Sequence, residues 1–145
     1  MKILVINGPN LNLLGKRDKS VYGDKTLAEI ETILKKEGER LGVEIVAFQS
    51  NSEGALVDFI QQNITEAQGI IINPGALTHY GLSLRDALND TRLFIIEVHL
   101  SNIYAREDWR AKSVISPVVK GQIAGFGWRS YVAALRILAE ELQGT

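Results

Sequence analysis

The chain has 145 residues, a length that suits one domain, and 16 basic against 17 acidic side chains leave a formal net charge of -1. That balance supplies no basic field for nucleic acid or for an anionic membrane surface. With no cysteine, the chain cannot form disulfides, thiolate nucleophiles or cysteine-based zinc and iron–sulfur centres, and it fits a reducing, cytoplasmic compartment.

Residues 2–6 form a short β-branched run ending at Asn7-Gly8-Pro9, which reads as a strand buried on both faces rather than as a signal peptide. No later segment approaches the length of a membrane span. From Thr26 the apolar positions Leu27, Ile30, Ile33, Leu34 and Leu41 follow a helical period. Thr26 and Glu29 have capping-box spacing, and Gly42 ends the helix. A strand is predicted over 43–48, followed by a helix capped by Ser52 that carries Leu56, Phe59, Ile60 and Ile64. A third strand over 69–72 stops at Asn73-Pro74-Gly75, a helix covers about 82–89, and a fourth strand covers 93–98. A short helical turn near 103–108, a fifth strand near 122–125 and a last helix with Val132, Leu135, Leu138, Ala139 and Leu142 on its apolar face complete the chain.

Five strands alternating with helices imply a parallel sheet with right-handed crossovers and helices on both faces. The expected architecture is a single α/β domain, flavodoxin-like and doubly wound, with ligands bound outside the carboxyl ends of the strands. One connection breaks the usual economy: about 18 residues separate Asn7 from Thr26 without strong periodicity, where such loops normally take about 2–6. The stretch holds Gly8, Gly15, Gly23 and the charged cluster Lys16-Arg17-Asp18-Lys19. It reads either as a lid over the active edge, at about 14–24, or as a disordered surface insertion.

Polar residues gather just past the strand ends: Asn7 and Asn10, then Asn73, then Glu97, His99, Ser101 and Asn102. The chain has two histidines, His79 and His99, and no metal-binding spacing, so no metal site is expected. Glu97 and His99 are two residues apart on a strand, so their side chains leave the same face. A carboxylate on one imidazole nitrogen fixes the tautomer and favours the protonated form, which would build a proton donor; a structurally satisfied histidine is the alternative. Arg17 and Tyr22 share the long loop, where a guanidinium could stabilise a phenolate and let it act as a base; a ring packed on the rim is the alternative. A turn beginning after Ser101 would leave the amides of Leu100, Ser101 and Asn102 free to hold a carboxylate. Either of Arg106 and Arg110, four apart, could bind an anion or a hydroxyl; an exposed arginine face is the alternative and the commoner case.

Five blocks of sequence turn these parts into a signature. Asn7-Gly8-Pro9-Asn10-Leu11-Asn12-Leu13-Leu14-Gly15, with Arg17 and Tyr22-Gly23 after it, resembles the opening motif of the type II 3-dehydroquinate dehydratases. Gln49-Ser50-Asn51-Ser52-Glu53-Gly54, Asn73-Pro74-Gly75-Ala76-Leu77-Thr78-His79, Leu84-Arg85-Asp86-Ala87 and Glu97-Val98-His99-Leu100-Ser101-Asn102 extend the likeness over nearly the whole chain. The resemblance implies dehydration of 3-dehydroquinate to 3-dehydroshikimate in the shikimate pathway, without metal or organic cofactor. It implies Tyr22 as the base, Arg17 as the group that lowers its pKa, Asn10 as the stabiliser of an enolate, and His99 oriented by Glu97 as the acid. Asn73 with the amides of Leu100 and Ser101 would meet the substrate carboxylate, and His79 and Arg110 would hold ring hydroxyls. Asp86 would reach the site of a neighbouring subunit in a dodecamer built from trimers. Lys19 stands where the family commonly has proline, which implies a more mobile lid, and Tyr80-Gly81 follows His79 where smaller hydroxylated residues are common.

A flavodoxin-like module that binds a small ligand without catalysis is the competing reading. It would want a Ser/Thr/Gly-rich phosphate loop after the first strand, where this chain has Gly-Pro-Asn and a string of leucines. A receiver domain would need acids at the ends of the first and third strands, where Asn7 and Asn73 stand.

Overall fold

The computed structural model of the chain describes residues 1–144. Five parallel strands form one sheet: β1 (Lys2–Asn7), β2 (Glu44–Gln49), β3 (Gly69–Asn73), β4 (Phe94–His99) and β5 (Gly121–Ala124), in the order β2-β1-β3-β4-β5. The helices are α1 (Lys19–Tyr22), α2 (Leu27–Leu41), α3 (Glu53–Asn63), α4 (Leu82–Thr91) and α5 (Arg129–Leu142). Strand order reverses direction between β1 and β3, as the flavodoxin-like expectation requires, and that switch point is where such sheets open a crevice.

The period of the strands divides the core. Ile3, Val5, Ile71 and Val98 point to the face covered by α2 and α5, with Ile30, Leu34, Leu135 and Leu138 packed on them. Leu4, Ile6, Ile70 and Ile72 point to the opposite face, covered by Leu56 and Ile60 of α3 and by Leu84 and Leu88 of α4. Burial on both faces explains why the strands read as unbroken apolar runs.

Helix boundaries follow local chemistry. The Thr26–Glu29 capping box forms in full, Gly42 closes α2 in the left-handed conformation at φ 75°, and Ser52 accepts from the amide of Ala55. Gly81, by contrast, precedes α4 without any side chain to cap it. Glu53 of α3 supplies the missing acceptor, taking the amide of Leu84 at 2.9 Å. A Cβ on Gly81 would sit 2.8 Å from the carbonyl oxygen of Leu77, so the glycine suits this tight junction behind His79.

Two segments differ from expectation. The long connection after β1 is neither featureless nor a disordered insertion: it contains a 3-10 turn at Leu11–Leu13 and the helix α1, and Leu11 and Leu14 are buried in the main core. Residues 103–118 hold three 3-10 turns, at Ile103–Ala105, Asp108–Ala111 and Ser116–Val118, instead of the one expected. The strands also run past their last apolar residue, so that Asn7, Asn73 and His99 are the final residues of β1, β3 and β4 rather than the first of the loops. Backbone pairing with neighbouring strands carries these polar residues along despite their weak strand propensity.

Helices α2 and α5 are tied by Glu37, which accepts from Arg40 at 2.5 Å and from Arg136 at 2.9 Å. Those two hydrogen bonds hold its carboxyl down at about 2. A folded value below the unfolded one, about 4.3, means stability that is present above the unfolded value and lost as pH falls through about 2. Glu37→Gln should therefore melt lower than the parent at pH 7, with the gap closing between about pH 4.3 and 2. Thermal melts across that range check it, and a gap as wide at pH 2 as at pH 7 would contradict the tether.

Candidate active site

The crevice at the β1–β3 switch point is shaped by one tight contact between loops. The amide of Gly8 donates to the carbonyl of Asn73 at 2.8 Å, and a Cβ on Gly8 would lie 2.3 Å from the carbonyl oxygen of Pro74. Only glycine allows that approach. Gln49, at the end of β2, donates to the carbonyl of Gly8 at 3.1 Å, and Asn51 accepts from the amide of Asn10 at 3.0 Å. Asn10 is thereby held at φ 70°, a left-handed conformation that few residues other than glycine adopt and that asparagine tolerates best.

Above this frame the long loop brings Arg17 and Tyr22 together. Arg17 Nη2 donates to Tyr22 Oη at 2.8 Å, and the guanidinium lies 3.9 Å from the ring centroid. Tyr22 ends α1, whose first turn is capped by Asp18 accepting from the amide of Ser20. Lys19 occupies the first helical position, where proline is also well accommodated. Arg106 completes the roof, with its guanidinium 5.1 Å from the same ring and Nη1 donating to Ser101 at 3.2 Å.

The floor is built at the end of β4. Glu97 is fully buried and His99 nearly so, and His99 Nε2 lies 2.5 Å from Glu97 Oε2. The same carboxylate accepts from Thr78 Oγ1 at 2.5 Å, from Ser116 Oγ at 3.0 Å and from Ser113 Oγ at 3.2 Å. Burial pushes the Glu97 carboxyl up, but the His99 hydrogen bond and charge, with the Thr78 and Ser116 hydroxyls, outweigh it and leave it below its ordinary value. An anionic Glu97 can only accept, so His99 carries a proton on Nε2 and Nδ1 is the ring nitrogen left for the pocket. His79 is oriented by a different partner. Its Nδ1 lies 2.6 Å from the carbonyl of Lys112, which can only accept, so Nε2 is the nitrogen left for a ligand. Its ring meets Trp109 edge to face at 5.0 Å. Arg110 is ion-paired to Glu107 and stacked 4.2 Å over Trp109.

Nine of the residues singled out from the sequence line this one pocket: Asn10, Arg17, Tyr22, Asn73, His79, His99, Leu100, Ser101 and Arg110. Glu97 stands behind His99. Asp86 does not join them; it is exposed on α4, away from the pocket lining. Arg106, weighed equally with Arg110 in the sequence but not favoured, faces the pocket as well. The hydroxyls of Thr78, Ser113 and Ser116 have no visible signal in the sequence, because the two serines reach Glu97 from an irregular segment.

Three arginines and two histidines around a narrow crevice, with a tyrosine under a guanidinium, define an α/β protein equipped for acid–base chemistry on an anionic small molecule. The chain belongs to the family described as dehydroquinase class II, whose model matches residues 1–139. It is 60% identical over 138 residues to a 3-dehydroquinate dehydratase of Roseiflexus castenholzii, covering 95% of this chain and 88% of that one. It is 55% identical over 145 residues to a 3-dehydroquinate dehydratase of Pelotomaculum thermopropionicum, covering both chains in full. Among solved structures, the type II dehydroquinase of Butyrivibrio crossotus superposes with a TM-score of 0.93 at 45% identity, covering 95% of this chain and 97% of that one.

Thr78→Val should remove one donor from a buried carboxylate while nearly conserving volume, and lower stability at pH 7 by about 1.5–3 kcal/mol. Urea unfolding measures it; a change under about 0.5 kcal/mol would show that Ser113 and Ser116 alone satisfy Glu97.

Proposed function

We propose that the chain is a 3-dehydroquinate dehydratase, a hydro-lyase that removes water from 3-dehydroquinate to give 3-dehydroshikimate without metal or organic cofactor. The observation that carries the reading is that the Arg17–Tyr22 pair and His99, backed by Glu97, face the same pocket. One is a phenol beside a cation, the other an imidazole beside an anion, and an elimination needs one group to take a proton and another to give one.

In the proposed reaction the Tyr22 phenolate, its charge balanced by Arg17, takes a proton from the carbon next to the ketone. The electrons of that C–H bond move into the carbonyl and form an enolate. Asn10, through an ordered water, stabilises the oxygen where charge develops. The enolate then collapses, the C–O bond of the leaving hydroxyl breaks, and the His99 imidazolium protonates the hydroxyl so that it departs as water. Tyr22 and His99 end with one proton gained and one lost, and a proton passes back before the next turnover. Asn73 and the amides of Leu100 and Ser101 hold the substrate carboxylate, while His79 and Arg110 hold ring hydroxyls. Arg106 is added to this set because its guanidinium closes over Tyr22 from the opposite loop.

The segment at about 14–24 acts as the lid, and the domain is a single catalytic unit. Asp86, exposed on α4, is available to the site of a neighbouring subunit in a homododecamer of trimers.

Mixing purified protein with 3-dehydroquinate should raise ultraviolet absorbance from the conjugated enone, and treatment with borohydride in the presence of 3-dehydroquinate, removed before the assay, should not prevent it. Failure of a folded protein to form the enone would favour the competing reading, a small-ligand binding module; sensitivity to borohydride would mean an imine route. Tyr22→Phe should lower turnover by about 10²–10⁴-fold with ligand affinity largely retained, and His99→Ala should slow loss of the hydroxyl.

A further inference from the structure

The strand ends carry two asparagines, Asn7 and Asn73, of which the proposed chemistry uses only the second. They are register partners across β1 and β3, and Asn7 is fully buried without lining the pocket. Between them stands Tyr131 of α5, itself fully buried. Its hydroxyl accepts from Asn73 Nδ2 at 2.9 Å and donates to Asn7 Oδ1 at 2.6 Å.

The direction of every bond in this set follows from one donor. The amide of Gly75 can only donate, so the Asn73 atom 3.1 Å from it is the carbonyl oxygen. The nitrogen of Asn73 therefore faces Tyr131, whose lone pair accepts one N–H and whose own proton goes to Asn7. Burial pushes the Tyr131 hydroxyl far above its ordinary range, so it remains a neutral relay at any working pH. The second N–H of Asn73 is left as the uncommitted donor of a side chain that lines the pocket. Asn7 Nδ2, meanwhile, is buried and has no hydrogen-bond partner among the described residues, so an unsatisfied donor is tolerated while Oδ1 stays on Tyr131.

We propose that Tyr131 is a positioning residue: supported by Asn7 and acting with the amide of Gly75, it holds the Asn73 amide in place so that an N–H, and not the carbonyl oxygen, meets the anionic end of the substrate. This rests on the reading of Asn73 as a substrate-binding residue. A flipped amide would turn lone pairs toward a carboxylate and repel it, so the lock acts on binding and leaves the Tyr22 and His99 steps alone.

The test is steady-state kinetics with 3-dehydroquinate on the full-length parent, Tyr131→Phe, Asn73→Ala and the double variant. Tyr131→Phe keeps the ring that fills the core and removes the hydroxyl alone. It should raise KM about tenfold while kcat changes by less than about threefold, and the double variant should have the KM of Asn73→Ala. Leu135→Ala, one turn along α5 in the same buried core, serves as the structural control. It should lower the melting temperature more than Tyr131→Phe does and leave KM unchanged. Asn7→Ala, which keeps Tyr131, should raise KM in the same direction and provides a second route if Tyr131→Phe does not fold. A raised KM in Asn73→Ala with an unchanged KM in Tyr131→Phe would overturn the lock and leave the functional reading standing. An unchanged KM in Asn73→Ala would remove Asn73 from substrate binding and Tyr131 with it, while an inactive parent would overturn the dehydratase reading itself.

Discussion

A sheet wound in both directions must part somewhere, and here it parts between β1 and β3, where Asn7 and Asn73 end neighbouring strands in register. Everything in the site depends on how closely the two loops leaving those strands approach each other. The contact between Gly8 and Pro74, with the carbonyl of Asn73 held by the amide of Gly8, brings the two loops into direct backbone contact at the foot of the crevice. A bulkier residue at position 8 would separate the loops, and with them Asn10 on one side from His79 on the other. Backbone sterics at one glycine thus set the distance scale for all the side-chain chemistry above it.

Charge is arranged on that frame in layers. The pocket wall is rich in cations, with Arg17 from the loop after β1, Arg106 and Arg110 from the segment after β4, and His79 and His99 between them, whereas the Glu97 carboxylate lies behind His99 and outside the pocket lining. Three hydroxyls and an imidazole satisfy it there. An anion held out of reach can tune an imidazole without repelling an anionic substrate, which an exposed carboxylate would do. The arrangement costs stability only if the hydroxyls are missing, because a buried carboxylate with its partners in place is not an unpaired charge.

Fold and site were legible in the sequence to different degrees. The strand–helix order could be read because both faces of the sheet are covered, leaving apolar runs flanked by Gly, Pro and Asn, and because Thr26, Ser52 and Gly42 mark helix ends by local hydrogen bonding. Spacing alone put Glu97 and His99 on one face. It could not decide that Tyr22 meets Arg17, since a loop without periodicity carries no geometric signal, and there the family resemblance supplied the pairing. Neither source disclosed the Thr78, Ser113 and Ser116 hydroxyls around Glu97, or the Tyr131 link from the last helix to the first strand. Such contacts join residues far apart in the chain, 124 positions in the case of Tyr131 and Asn7, and arise only when packing is complete.

The central claim is a division of labour, with Tyr22 taking the proton from carbon and His99 giving one to oxygen through an enolate. Proton exchange into 3-dehydroquinate in deuterium oxide, followed by mass spectrometry or NMR with the His99→Ala variant, separates the two steps. If the division holds, the variant will still introduce deuterium next to the ketone while water loss is slowed. If exchange and elimination disappear together, with the variant folded and able to bind ligand, the two residues do not act in separate steps and the account is wrong.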